Sequence, residues 1–227
     1  MSSYLLDYIT SAGAKGSKTP TIIIPELLYL GDAKTARWFP HFLSNKITHV
    51  INLSGCSNFW ETEEKILKFW DQQKESGQSL KESYVDEVID KEIVVIGKTV
   101  DNKIIDKSIE NEINDNVVDN EIVPLRYLKI DITDDPSSNI SKHFHECINF
   151  IESAKSTNGR VYVHCLAGIS RSASIVIAYL MNSQKIYYKQ AFNLVKEKKP
   201  NVKPNQGFVK QLREFEKELF TVVTPSV

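Results

Sequence analysis

Two rhythms of apolar residues alternate along this chain. One is a series of short β-branched and aromatic runs. In the other, apolar side chains return every third or fourth position. Ile22-Ile23-Ile24 and Leu27-Leu28-Tyr29-Leu30 read as the two arms of a hairpin, and Ile47 to Asn52, Tyr127 to Ile132 and Val161 to Val163 as further strands. Ala33 to Leu43 reads as a short helix. Asn139 to Ala154 carries Ile140, Phe144, Ile148 and Ile151 at helical spacing, and Arg171 to Asn182 is a mostly apolar helix. Tyr187 to Lys198 repeats the pattern with Ala191, Leu194 and Val195, and Phe208, Leu212, Phe215 and Leu219 mark a last helix. Strands that feed helices predict an α/β fold, with a central, mostly parallel sheet covered by helices on both faces.

The rhythm fails in two places. Residues 1–20, rich in Ser, Gly, Lys and Thr, read as a mobile N-terminal arm, and 221–227 as a C-terminal tail. The domain is expected to occupy 21–220, interrupted between core strands by a long insertion over 54–124. Within that insertion Glu61 to Gln73 reads as helical. Asp101 to Glu121 sets Asp101, Asp106, Glu110, Glu112, Asp115, Asp119 and Glu121 against Lys103 and Lys107, a local balance of about -5. The stretch is read as a tolerated low-complexity loop; a docking or autoinhibitory element is the alternative.

Composition narrows the functional classes. With 28 basic and 29 acidic residues the formal net charge is -1, so no global basic field points to nucleic acid or a membrane surface. No apolar run approaches the ~20 residues of a membrane span. Three cysteines, Cys56, Cys147 and Cys165, make no even disulfide framework, and Met1 to Thr10 has no basic n-region. A reducing compartment is expected, cytoplasmic or nuclear. No His, Cys, Asp or Glu cluster has ligand spacing, so neither metal nor cofactor is expected.

The densest chemistry lies in Val161-Tyr162-Val163-His164-Cys165-Leu166-Ala167-Gly168-Ile169-Ser170-Arg171-Ser172. A strand stops at a cysteine, five residues follow, and an arginine opens a helix. So short a loop must curl, and the N–H groups from Leu166 through Ala167, Gly168, Ile169 and Ser170 to Arg171 then line an anion cradle at a helix N-terminus. Gly168 tolerates positive φ, and Arg171 adds a planar fork matched to two phosphate oxygens. Helix ends and cations lower a thiol's pKa from about 8.5 into the range of about 3.5–7.5, which makes Cys165 a candidate nucleophile. Ser172 is placed to donate to the sulfur, both stabilising the thiolate and easing its departure. His164 is read as ordering the loop. The plainer alternative is an ordinary buried cysteine.

His-Cys-x-x-Gly-x-x-Arg-Ser resembles the loop of cysteine-dependent protein tyrosine phosphatases. Leu166 to Ser170 is close to the MAP kinase phosphatase form within the dual-specificity class. Ile24 to Gly31, Ile47 to Asn52 and Lys199-Pro200 through Gln211-Leu212 resemble further segments of that family, in family order. The resemblance implies a phosphatase-type fold and hydrolysis of phosphotyrosine and phosphoserine/threonine through a cysteinyl-phosphate. It also implies a general acid in Tyr127 to Pro136, which alignment puts at Asp134, with Asp135 the runner-up; either aspartate could instead form the turn before Pro136. Asn205 is implied to tie a neighbouring loop to the cradle, or to cap the last helix, or both. Expected partners are phosphoprotein substrates, a kinase among the candidates. Specific MAP kinase targeting is not supported, because no rhodanese-like docking domain is seen. Uncharged loop side chains argue against a phosphoinositide substrate. A phosphoinositide or RNA 5′-phosphate substrate, or a non-catalytic phosphoprotein-binding role, remain the alternatives.

Overall fold

The computed structural model describes residues 19–38, 41–42, 45–62, 64, 68 and 125–221. Expectations for residues 1–18 and 222–227, for most of Glu61 to Gln73 and for Asp101 to Glu121 lie outside them. The chain divides into two units. Residues 3–61 with 125–227 make the one described below; the other, 1–2 with 62–124, is represented among the described residues only by Thr62, Glu64 and Lys68.

In chain order the elements are β1 (Thr21–Ile24), β2 (Leu28–Asp32), α1 (Ala33–Ala36), β3 (His49–Asn52), β4 (Arg126–Lys129), α2 (Phe144–Ser156), β5 (Val161–Cys165), α3 (Arg171–Gln184), α4 (Tyr188–Lys198) and α5 (Gln206–Phe220). A 3-10 turn, Ser141–His143, leads into α2. The five strands form one sheet in the order β1-β2-β5-β3-β4, antiparallel only between β1 and β2. β5 is central, pairing Asp32 with Cys165 on one side and Asn52 with His164 on the other. Every residue of β5 is buried, as befits a parallel strand covered on both faces.

Alternation divides the β5 side chains between two layers. Val161, Val163 and Cys165 join the main core with α2, α3, α4 and α5. Tyr162 faces the other layer, where Phe42 packs against its ring at 5.1 Å. α3 is the central helix: every residue from Arg171 to Met181 is buried, so its apolar character runs around the whole cylinder. Fully burying each large aliphatic side chain here contributes about 1.5–3 kcal/mol.

The element ends differ from the expectations for identifiable reasons. α1 stops at Ala36, where the Arg37 N–H turns back to Lys34 O at 3.2 Å. β4 ends at Lys129 rather than Ile132, because β3 ends at Asn52 and offers one last carbonyl, to Ile130 N at 2.9 Å. The expected helix start at Asn139 is a capped turn instead. The Asn139 Oδ1 accepts from Ser141 Oγ at 2.9 Å and Lys142 N at 3.3 Å, and the first turn is 3-10.

Candidate active site

β5 delivers Cys165 to the carboxyl end of the central strand, where open parallel sheets hold ligands. Three carbonyls of the loop that follows are bonded outward: Leu166 O to Ala33 N at 3.3 Å, Ile169 O to Lys203 N at 2.9 Å and Ser170 O to Ser174 N at 2.9 Å. With carbonyls turned away, loop N–H groups are free to face the sulfur, and that of Gly168 reaches Cys165 Sγ at 3.2 Å. Gly168 has φ 69°, and a Cβ there would stand 2.6 Å from Gly31 O, so this position is closed to any side chain.

Burial is the largest influence on the Cys165 thiol and acts to raise its pKa. Opposing it are the Ser172 hydroxyl, the Ser172 backbone, the Arg171 guanidinium and the Gly168 N–H. Together they prevail and hold the thiol below its ordinary value. The Ser172 Oγ donates to Sγ at 3.2 Å. Cys147 is the contrast: buried in α2 without such donors, its thiol is pushed up to about 12 by burial, and by Glu146.

Arg171 opens α3 and is held by its Nη1, which donates to Leu53 O at 2.7 Å and Ile132 O at 3.1 Å. Its Nε is buried without a hydrogen-bond partner. A buried guanidinium donor without a hydrogen bond beside a depressed thiol is a place for an anionic oxygen. His164 is fully buried and stacks on Tyr162 at 5.6 Å, with Nδ1 3.4 Å from Cys165 O. Burial, only partly opposed by that carbonyl and by Asp32, lowers its pKa to about 4, so the ring is neutral near pH 7.

The two candidate acids separate clearly. Asp134 faces the loop: Ser170 Oγ donates to its Oδ1 at 2.6 Å, Asn205 Nδ2 donates to the same oxygen at 2.9 Å, and Oδ2 lies 3.6 Å from Arg171 Nε. Asp135 turns away and accepts from Ser137 N at 2.8 Å and Ser137 Oγ at 2.5 Å; Ser137's hydroxyl and amide lower its carboxyl pKa. Asp135 is thus the turn-forming aspartate. Asn205 makes both kinds of contact, since besides reaching Asp134 its Oδ1 caps α5 by accepting from Phe208 N at 2.9 Å.

Sequence reasoning missed what supports this acid loop. Gln211 on α5 accepts from Ile140 N at 2.8 Å and Ser141 N at 2.9 Å, and donates to Ser138 O at 2.8 Å. Gly207 packs so closely that a Cβ would meet Pro136 O at 1.8 Å. Both residues lie in the segment from Lys199 to Leu212, but nothing local says that they grip a loop some seventy residues earlier. Among the described residues no group of three or more His, Cys, Asp or Glu could hold a metal ion. No described helix is long and apolar enough to cross a membrane.

The family model described as "Dual specificity phosphatase, catalytic domain" matches residues 96–218. The chain belongs to that family. Mouse dual specificity protein phosphatase 19 is 49% identical over 90 residues, which are 40% of this chain and 41% of the relative. Drosophila melanogaster dual specificity protein phosphatase Mpk3 is 45% identical over 95 residues, 42% of this chain and 23% of the relative. The matched stretch therefore spans less than half of either relative. Among solved structures, DUSP15 superposes with a TM-score of 0.57 at 26% identity, covering 88% of each chain. The human tyrosine phosphatase-like serine/threonine/tyrosine-interacting protein does so with a TM-score of 0.56 at 26% identity, over 88% of this chain and 97% of its own. These neighbours share the mixed α/β fold expected from the strand and helix pattern, of the phosphatase type that the resemblance implied.

Proposed function

We propose that this chain hydrolyses phosphotyrosine and phosphoserine/threonine esters of proteins through a cysteinyl-phosphate intermediate. The observation that carries the reading is the depressed Cys165 thiol lying beside the Arg171 guanidinium, whose buried Nε has no hydrogen-bond partner. In the first step the Cys165 thiolate attacks phosphorus, the bond to the leaving oxygen breaks, and Asp134 gives that oxygen its proton. In the second, the Asp134 carboxylate takes a proton from water, whose oxygen attacks phosphorus and expels the thiolate, aided by Ser172. Arg171 and the N–H groups of residues 166–171 hold the non-bridging oxygens throughout.

Uncharged side chains at positions 166–170 favour a phosphoprotein over a phosphoinositide, which needs further cations for its ring phosphates. A kinase, itself phosphorylated, is a candidate substrate. The catalytic domain is taken as 21–220, and a thiolate enzyme suits a reducing cytoplasm or nucleus, in a signalling role. A phosphate-binding module without turnover is the second reading, motivated by the likeness to the interacting protein above. The experiment compares wild type with Cys165→Ser on phosphotyrosyl and phosphothreonyl peptides, a phosphoinositide and a 5′-triphosphate RNA. Turnover by wild type of both peptides, with binding but no turnover by Cys165→Ser, is expected. Equal behaviour of the two proteins would remove the covalent mechanism.

A further inference from the structure

The hydrogen bonds around Asp134 assign its proton to one oxygen. Their directions follow from backbone groups, whose donor character is not open to choice. Phe208 N–H points at the Asn205 side chain at 2.9 Å, so the atom it meets is the amide oxygen, and the amide nitrogen is the atom 2.9 Å from Asp134 Oδ1. Asn205 N–H points at Ser170 Oγ at 3.1 Å, so that hydroxyl accepts from the backbone and spends its single proton on Asp134 Oδ1 at 2.6 Å. Oδ1 thus receives two donors. Oδ2 accepts no hydrogen bond from the described residues, and its nearest cationic atom, Arg171 Nε, is 3.6 Å away.

We infer that Ser170 and Asn205 are positioning residues that place the transferable proton of Asp134 on Oδ2, the oxygen on the Arg171 side. The inference rests on the proposed hydrolysis and goes further by giving two side chains a defined task in it. A proton on Oδ1 would displace one of its two donors, whereas a proton on Oδ2 displaces none. During cleavage the Oδ2–H bond breaks, its proton passes to the leaving oxygen as the P–O bond breaks, and the electron pair stays on the carboxylate. During hydrolysis of the intermediate, Oδ2 takes the proton of the attacking water. The two donors on Oδ1 keep the carboxyl group from rotating in both steps. Ser170 lies in the cradle beside Arg171, so cradle and acid share one side chain.

The test is a ratio: kcat/KM for 4-nitrophenyl phosphate, whose leaving group needs little protonation, divided by that for phenyl phosphate. Ser170→Ala is expected to raise this ratio about tenfold or more, a fraction of what general acids contribute. Asn205→Ser, which keeps a good cap on α5 while removing the amide donor, is expected to raise it likewise. Ser170→Thr, which keeps the hydroxyl, should restore the wild-type ratio. In an Asp134→Asn background Ser170→Ala should leave the ratio where it is. A merely structural role would slow both esters alike, so an unmoved ratio in Ser170→Ala and Asn205→Ser overturns the inference. So does an equal rise in the Asp134→Asn background. A wild-type chain inert toward both esters would overturn the proposed hydrolysis itself, and this inference with it.

Discussion

Arg171 shows how one side chain divides its donors between structure and chemistry. Nη1 is committed to the carbonyls of Leu53 and Ile132, which fixes the plane of the guanidinium, while Nε makes no hydrogen bond and faces Asp134 Oδ2 at 3.6 Å. A lysine has a single donor centre and cannot anchor on two carbonyls while also meeting phosphate oxygens edge-on. Arg171→Lys is therefore expected to lower kcat/KM on an aryl phosphate by about 10²–10³-fold, read by steady-state kinetics; a loss below fivefold would contradict the anchoring role. His164 gives a pH signature at the same scale. Its pKa of about 4 in the fold lies below the ordinary 6.5, so between these values the unfolded chain binds the proton and the folded chain does not. Stability then rises with pH across that window and is lost as pH falls through it, by about 3 kcal/mol for this group. Thermal unfolding from pH 7 to pH 4 should show a steeper drop in Tm for wild type than for His164→Gln. Parallel curves would refute that. The placement of Cys165 and Arg171 at the two ends of one curled loop was legible in the sequence because five intervening residues leave a chain no choice but to curl. The carbonyls that hold Arg171 were not, since a backbone oxygen 118 positions earlier carries no side-chain signal.

Between elements, the decisive contact is the N-terminal turn of α5 against the acid loop. Gly207 lets the helix approach until Pro136 O occupies the space of a Cβ, and Gln211 closes the gap with three hydrogen bonds to residues 138–141. Nothing in the helical periodicity of Phe208, Leu212 and Phe215 reports this, because the pattern shows only which face meets the core. The boundaries of β4 and α1 were hidden for a similar reason. They end where a neighbouring strand or turn stops supplying partners, not where the apolar run stops. Gly207→Ala is expected to push the acid loop away from the cradle. A displacement of about 1 Å at a catalytic group lowers rates by about 10²-fold, so turnover of phenyl phosphate should fall far more than that of 4-nitrophenyl phosphate. Vanadate binding, which depends on the Cys165 to Arg171 loop, should persist. Uniform loss on both esters would place the damage elsewhere.

At the scale of the whole molecule, the sheet explains why strands outside the family match belong to the same unit. The match begins at residue 96, yet β5 pairs with β2 and β3, and without them Cys165 would have neither neighbour strand. Residues 53–125 separate β3 from β4 in sequence while the sheet keeps the two side by side, from His49 opposite Arg126 to Asn52 opposite Lys129. Among the described residues, the side-chain hydrogen-bond partners of Cys165, Arg171 and Asp134 are Leu53, Ile132, Gly168, Ser170, Ser172 and Asn205. Loop length alters closure entropy only slowly, so removing part of a long connection has a small effect when its ends already stand on paired strands. Deleting residues 98–122 is therefore expected to leave kcat/KM for 4-nitrophenyl phosphate within about twofold and the Tm nearly unchanged. Runs of like charge often serve as interaction segments, so the acidic stretch can act on a macromolecular substrate separately. A phosphoprotein assayed beside the small ester isolates that effect: a change confined to the phosphoprotein would make the stretch a docking element, and faster turnover of both would make it autoinhibitory. Equal rates on both would leave it a connection and nothing more, the outcome expected of a tolerated low-complexity loop.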